Sequence, residues 1–255
     1  MEQVSSGRSY FGSTRIACIA MFATLAGILY IFKFPLPFAF PGFLEFKFAD
    51  IPILIGSFTL GPISGAIIVV VGILIKLVFK GTTTMFVGDL SDVLTSCAFA
   101  VVAGIIYSKK RTFKGALAAM GLGTLAEVIV ALLANRFILI PFFSEAYGWD
   151  AIIGMMNKLF PGCTRETFYN YYLWVSVLPF NLLRCLVTIL VTLPVYKHIS
   201  VLINRFNTKL TPKNDENGVK TKKINIISLV VGIAIILILV LFALLHFFVF
   251  SKMGK

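Results

Sequence analysis

Long apolar runs, separated by short polar or proline-rich segments, fill most of the sequence. A helix that crosses the hydrocarbon core of a bilayer needs about 20 consecutive residues that are mostly apolar. Six runs come close to this length or exceed it, at about residues 14–33, 62–80, 87–107, 114–140, 170–195 and 224–250. The pattern therefore predicts an all-α integral membrane protein that crosses the bilayer several times.

Proline and glycine predict where several of these helices begin and end. Gly61 and Pro62 predict a turn followed by a new helix, because proline fits the first turn of a helix. The apolar residues 50–60 before this turn form a helix that is short for a full crossing. Pro141 is expected to end the run at 114–140. The charged segment 142–168 is interpreted as a connection that contains a short helix at the membrane surface.

The segment between the first two predicted helices has a different character. Residues 34–49 contain three prolines and many phenylalanines, so they predict a loop that is itself apolar. Such a loop could lie against the bilayer or over it.

Composition supports a membrane protein and excludes several other classes. The chain is 58% hydrophobic and only 13% charged, which is typical of an integral membrane protein. Its mean hydropathy of +0.95 agrees with this class. The net charge of +12 is interpreted as basic cytoplasmic loops rather than as a nucleic-acid surface. The four cysteines form no C-x-x-C pair, so neither a zinc site nor a disulfide framework is expected.

The distribution of lysine and arginine predicts the orientation of the helices. Basic residues concentrate in segments 109–114 and 197–223, which lie on the cytoplasmic side if the N-terminus is also cytoplasmic. We therefore predict a membrane domain over 1–196, a basic cytoplasmic linker over 197–223, and an additional transmembrane helix within 224–255. The first run has no small-residue cleavage site after it, so a retained span is expected rather than a signal peptide.

Several polar residues fall at a similar depth in the outer half of the predicted spans. They are Asp50, Asp89, Asp92, Asn135, Arg136, Asn181 and Arg184. Polar side chains within spans usually face the interior of the bundle or a wet cavity. For any one of these residues alone, hydrogen bonding to a neighbouring helix is enough to explain a polar side chain within a span. Their convergence beneath an aromatic loop favours a pocket for a flat, partly polar solute.

Other side chains near the ends of spans have simpler interpretations. Lys76 and Lys80 are expected to extend towards the membrane surface. Aromatic residues at the start of the 170–195 run predict a belt at the membrane interface. They are Tyr169, Tyr171, Tyr172 and Trp174.

The first span has a smooth face of small residues, formed by Ala20, Ala23, Thr24 and Gly27. Small residues spaced four apart permit the close approach of another helix. That second helix could belong to this chain or to a separate membrane subunit.

Four segments carry a resemblance to a known family: "KFADIPILIGSFTLGPISGAIIVVVGILIKLV", "VGDLSD", "LLANRFILIPFF" and "LPFNLLR". Over residues 14–196 the chain resembles the riboflavin-binding S components of energy-coupling factor (ECF) transporters, in which these segments occur in the same order. The "DIP…GP" and "PFNLLR" segments are the most specific parts of the resemblance.

The resemblance implies a six-helix bundle that captures riboflavin from outside the cell and passes it inward in a bacterial cell membrane. The expected partners are a transmembrane scaffold subunit and two ABC-type ATPases. The sequence has no G-x-x-x-x-G-K-[ST] phosphate loop, so ATP hydrolysis is expected to come from the partners. Riboflavin is then a transported ligand and not a cofactor, and no catalytic or metal-binding residue is expected.

The resemblance also implies roles for individual residues. The loop 34–49 acts as a lid, and Asn135, Asn181 and Arg184 hold the flavin ring. The wider set of expected substrate-binding residues adds Leu44, Phe46, Lys47, Asp50, Asp89 and Asp92. The small-residue face at Ala20, Ala23, Thr24 and Gly27 is expected to dock on the scaffold subunit.

Some residues depart from the family pattern and leave alternatives open. The family usually has lysine where Arg184 stands, and a glutamate and an asparagine where Asp89 and Asp92 stand. The solute could therefore be a modified flavin, a flavin nucleotide or another vitamin-like compound. Asp89-x-x-Asp92 could instead hold Mg²⁺ in an enzyme that acts on lipid phosphates. A purely structural membrane protein is the remaining alternative.

Overall fold

The computed structural model describes residues 13–82 and 84–210. It divides the chain into two compact units, with the boundary after Asn181. The predicted last span at 224–250 lies outside the described residues, so its presence stays a prediction.

Most predicted helices are present with nearly the expected bounds. The first five are α1 (Ser13–Ile31), α2 (Asp50–Leu60), α3 (Pro62–Lys80), α4 (Val87–Lys109) and α5 (Phe113–Ala134). Pro62 lies in the first turn of α3, as predicted. Gly61 has a φ of 93°, a value that residues with a side chain rarely adopt, and this permits the sharp turn between α2 and α3.

The segment predicted as a loop contains a short β-hairpin. Strand β1 (Phe34–Pro35) pairs antiparallel with strand β2 (Glu45–Phe46). Phe34 lies opposite Phe46, and their ring centroids are 5.8 Å apart. The segment 34–49 is therefore a structured lid candidate, which we call the lid hairpin.

The predicted end of the 114–140 run at Pro141 is wrong. A π-helical segment, π1 (Asn135–Leu139), follows α5 directly and leads into α6 (Ile140–Tyr147). The backbone N–H of Ile140 donates to the carbonyl of Asn135, five residues earlier. This wider turn displaces the carbonyl groups with which a proline ring would otherwise clash, so the helix continues past Pro141.

The connecting segment contains the predicted short helix, α7 (Trp149–Asn157). The next long helix is again interrupted by a π segment, and its parts are α8 (Phe168–Asn170), π2 (Tyr171–Val177) and α9 (Leu178–Leu210). Helix α9 extends well beyond the predicted end at residue 195. The first part of the predicted linker, 197–210, is therefore helical.

Five helical segments in the described part of the chain are long and apolar enough to span a membrane. They are Thr14–Ile31, Pro62–Lys80, Val87–Lys109, Phe113–Tyr147 and Phe168–Val195. Helix α2 is apolar but shorter. This composition confirms the predicted class of an all-α integral membrane protein.

Within the first unit, small residues bring the helices close together. Ala23 and Ala26 on α1 are fully buried, and α1 packs against α3. A Cβ atom added at Gly72 on α3 would lie 3.1 Å from the Cβ of Ala26. Helix α2 packs against α1, α3 and α4, so its buried residues form the centre of this unit.

Candidate functional site

A buried ionic cluster ties the lid hairpin to the helices beneath it. The Nζ atom of Lys47 lies 2.8 Å from Oδ1 of Asp92 and 3.0 Å from Oγ of Ser96. Ser96 in turn donates a hydrogen bond of 2.7 Å to Oδ1 of Asp50. Lys47 and Asp50 are both only 1% exposed. Three of the predicted site residues are thus brought together from the hairpin, α2 and α4.

Tyr30 completes this cluster from the end of α1. Its hydroxyl lies 3.1 Å from Oγ of Ser96, and its ring centroid lies 4.9 Å from Nζ of Lys47. A charged lysine at this depth is tolerated because a carboxylate and hydroxyl groups replace its hydration shell.

A second lysine links the hairpin to the same carboxylate. The Nζ atom of Lys33 lies 2.5 Å from Glu45 on β2 and 3.7 Å from Asp92 on α4. Burial by itself lowers the pKa of Lys33, but the attraction of Asp92 and Glu45 outweighs it. The pKa of Lys33 therefore lies above its ordinary value of 10.5, and the side chain is charged at neutral pH.

Asp89 belongs to a separate ion pair. Its Oδ1 atom lies 2.6 Å from Nζ of Lys76, which is 2% exposed. The expectation that Lys76 extends to the membrane surface is therefore wrong, because a carboxylate on the neighbouring helix compensates its charge. Lys80 is exposed and donates to the carbonyl of Ile31.

The two aspartates are paired with different lysines. Oδ1 of Asp89 lies against Lys76 and Oδ1 of Asp92 against Lys47, and these cations disfavour a Mg²⁺ ion held jointly by the two carboxylates. Among residues 13–82 and 84–210, no group of three or more histidine, cysteine or acidic residues is arranged to hold a metal ion.

Asn135 lies at the start of π1, where its amide is held from both ends. Its Nδ2 atom donates a hydrogen bond of 2.8 Å to the carbonyl of Ala131, and its Oδ1 atom accepts a hydrogen bond from the hydroxyl of Tyr172. Tyr172 is fully buried, so its assignment to the interfacial belt is wrong. From the sequence alone, an aromatic residue at the end of a span fits such a belt. Only the contact with Asn135 in the structure distinguishes Tyr172 from a residue of the belt.

Asn181 is also buried and held by its own helix. Its Nδ2 atom donates a hydrogen bond of 2.8 Å to the carbonyl of Val177. The preceding residue, Phe180, makes an edge-on contact with Phe40 of the lid hairpin at 5.2 Å between ring centroids. Phe46 approaches the same ring at 6.4 Å.

The lid hairpin therefore contacts the segments that carry both asparagines. Phe43 lies 5.4 Å from the ring of Tyr172, which binds Asn135. Leu44 and Phe46 are buried, with 7% and 5% of their surface exposed. The aromatic loop thus contacts Tyr172, which bonds Asn135, and Phe180, which precedes Asn181 in the chain.

Two further predicted polar residues are arginines, one of them exposed and the other buried. Arg136 is exposed and lies over the ring of Tyr169 at 4.7 Å, so it is directed away from the buried amide of Asn135. Arg184 is buried and belongs to the second compact unit, beginning at Leu182. Its role in binding stays a prediction.

The small-residue face of α1 divides into two sides. Ala23 is fully buried, and a Cβ atom added at Gly27 would lie 2.7 Å from Ile75 on α3. These two residues pack inside the unit. Ala20 and Thr24 are exposed, so they remain accessible to another helix.

Comparisons with known proteins agree with this structure. Residues 14–196 match the family described as "ECF transporter, substrate-specific component". A solved structure entitled "Structure and mechanism of the S component of a bacterial ECF transporter" is 26% identical in sequence, with a TM-score of 0.58. The match covers 75% of this chain and 98% of that one.

Two similar proteins are named as riboflavin transporters. The riboflavin transporter RibU of Lactococcus lactis subsp. cremoris is 32% identical, over 69% of this chain and 88% of the relative. RibU of Staphylococcus aureus is 26% identical, over 75% of this chain and 93% of the relative. The chain therefore belongs to the family of substrate-specific components of ECF transporters, which are membrane transport proteins and not enzymes.

Proposed function

We propose that this chain binds riboflavin from outside the cell and delivers it inward as the substrate-specific component of an ECF importer. The names of its relatives support this assignment, since the matches cover most of each relative's length. The observation that carries the proposal is the packing of the aromatic lid hairpin against the segments that hold Asn135 and Asn181.

In this proposal the two asparagines recognise the polar edge of the flavin ring. Each amide nitrogen uses one N–H to bond its own helix, at Ala131 and Val177 respectively. The second N–H of each amide remains available for a ligand, because an amide nitrogen carries two. Leu44 and Phe46 would supply apolar surface to the ring from the lid side. Arg184 remains a predicted third contact from α9.

The ionic cluster would hold the lid rather than touch the ring. Lys47 and Lys33 both engage Asp92, and Asp50 joins them through Ser96. Because Lys33 and Lys47 already engage Asp92, their direct contribution to ligand binding would require breaking these contacts. We assign them to the closed position of the hairpin. Asp89 would act further away, by holding Lys76 within the helices.

Transport requires partners that supply energy. We infer that a transmembrane scaffold subunit and two ABC-type ATPases assemble with this chain in a bacterial cell membrane. The exposed Ala20 and Thr24 on α1 are the part of the predicted docking face that remains available. The N-terminus is assigned to the cytoplasm by the distribution of basic residues.

A binding experiment with the full purified chain tests the proposal. We expect riboflavin fluorescence to be quenched on titration with the protein in detergent, since buried flavin rings contact aromatic side chains. Flavin mononucleotide and thiamine serve as comparison ligands. Preferential binding of riboflavin supports the proposal. Preferential binding of the nucleotide would favour a flavin-nucleotide carrier, and the absence of binding to any of the three would overturn it.

A further inference from the structure

We propose that Tyr172 is a positioning residue that fixes the amide of Asn135 so that it donates a hydrogen bond to a ring carbonyl of the solute. This inference rests on the proposed function, because it assumes that a flavin occupies the site. The sequence placed Tyr172 only in an interfacial aromatic belt, and its relation to Asn135 appears only in the structure.

The orientation of the amide follows from the nature of its two neighbours. A backbone carbonyl can only accept, so the group of Asn135 that faces the carbonyl of Ala131 must be the nitrogen. The oxygen of the amide then faces the hydroxyl of Tyr172, which must donate. Flipping the amide would place two acceptors against each other at Ala131.

Both contacts are needed to hold the plane of the amide. With the contact to Ala131 alone, the side chain could still turn about that hydrogen bond. The hydroxyl of Tyr172 supplies a second point of attachment, so the amide is held at both its nitrogen and its oxygen and resists turning. One N–H of Asn135 then remains for a ligand in a fixed direction, which suits a carbonyl oxygen as its acceptor.

The tyrosine is itself held rigidly by aromatic neighbours. Its ring stacks on Phe168, with centroids 5.4 Å apart and an angle of 25° between the planes. Phe43 of the lid hairpin contacts the ring at 5.4 Å. Tyr172 has no exposed surface, so no solvent water can replace its contact with Asn135.

The site also lies where the backbone departs from regular helix. Asn135 begins π1, and Tyr172 lies within π2, and these two segments pack against each other. A π-helical turn changes the direction of the side chains that it carries, which is how an amide and a hydroxyl on two helices can meet. The arrangement favours recognition of a specific hydrogen-bonding pattern over general apolar packing.

The test compares Tyr172→Phe with Asn135→Ala and with the double variant. Tyr172→Phe removes the hydroxyl and keeps the ring that stacks on Phe168 and Phe43. We expect it to weaken riboflavin binding by about tenfold, the size of one lost hydrogen bond. Tyr171→Phe is the matched control, because it removes the same hydroxyl group from an exposed tyrosine one position away. The control should bind riboflavin as the unmodified chain does.

Two readouts separate positioning from a structural role. If Tyr172 acts through Asn135, the double variant should bind no more weakly than Asn135→Ala, whereas independent effects would multiply. The infrared carbonyl bands of bound riboflavin should also shift to higher frequency in Tyr172→Phe. A hydrogen bond weakens the C=O bond that accepts it and lowers its stretching frequency, so a weaker hydrogen bond raises that frequency.

Each failure is distinguishable from the others. If the unmodified chain binds riboflavin and Tyr172→Phe binds it equally well, the inference is overturned and the proposed function stands. The same holds if the losses of the two single variants multiply in the double variant. Absence of binding by the unmodified chain would overturn the proposed function itself. Thermal unfolding of each variant identifies a loss of binding that comes from misfolding. In that case the infrared carbonyl bands of the riboflavin that is still bound decide whether Tyr172 positions Asn135.

Discussion

The ammonium group of Lys47 lies 2.8 Å from a carboxylate oxygen of Asp92, which joins the lid hairpin to α4. Asp92 also attracts Lys33, whose other partner is Glu45 on β2. One carboxylate is therefore shared by two lysines at the base of the hairpin. Opening the hairpin would separate these charges in a region with little water, which opposes its movement.

Replacing Lys47 by methionine should speed the release of riboflavin. The variant keeps a side chain of similar length but removes the charge that binds Asp92 and Ser96. We expect the dissociation rate to rise about tenfold, equivalent to about 1.4 kcal/mol less stabilisation of the closed lid. Stopped-flow measurement of flavin fluorescence after dilution gives this rate. Lys114→Met, at an exposed position on α5, is the control, and equal release rates in both variants would contradict the lid role.

Breaking the buried pair of Lys76 and Asp89 should destabilise the protein more when one partner is removed than when both are. Lys76→Met leaves a carboxylate buried without its cation, a loss of about 3–5 kcal/mol. Adding Asp89→Leu removes that isolated charge, so the double variant should recover part of the thermal stability. Thermal unfolding in detergent measures the difference. A double variant that is less stable than Lys76→Met would show that the two residues contribute independently.

Asn181→Ala should bind riboflavin much more weakly than the unmodified chain. The variant removes the amide that follows Phe180, whose ring contacts the lid hairpin. A lost hydrogen bond in a buried site reduces affinity by about tenfold or more. Equilibrium titration of flavin fluorescence gives the affinity. Asn170→Ala is a matched control at an exposed position. Unchanged affinity in Asn181→Ala would remove this residue from the site.

The sequence predicted the helices well because burial in lipid requires long apolar runs. The bounds of α2 and α3 agree with the prediction, since Gly61 and Pro62 carry strong local preferences. The lid hairpin was predicted only as a loop, because two-residue strands are too short to show an alternating pattern. The helix also continues through Pro141, because the preceding π turn has no recognisable signal in the sequence.

The structure brings some of the candidate site residues together through pairings that the sequence did not predict. Asp50, Asp92 and Lys47 do lie together, although the sequence did not indicate that they bond to one another. The partner of Lys76 and the contact of Tyr172 with Asn135 depend on how separate helices are turned towards each other. Spacing along a single helix does not contain that information.

The contact between α4 and the turn after α2 depends on the absence of a side chain at Gly104. A Cβ atom added there would lie 3.0 Å from Cα of Pro62 and would collide with the hydroxyl of Ser57, which bonds the carbonyl of Ala100. Gly104→Ala should therefore move α4 away from α2 and α3. We expect a loss of about 1–3 kcal/mol, typical of overpacking in a dense interior.

Gly121→Ala provides the comparison for this substitution. Gly121 lies on α5, and an added Cβ atom would have no neighbour within 4 Å. Alanine favours the helix over glycine by up to about 1 kcal/mol, so this variant should be as stable as the unmodified chain or slightly more stable. Thermal unfolding of both variants in the same detergent measures the contrast. Equal melting temperatures for Gly104→Ala and Gly121→Ala would mean that the helices separate at little cost, and that close packing at Gly104 does not determine the arrangement of α2, α3 and α4.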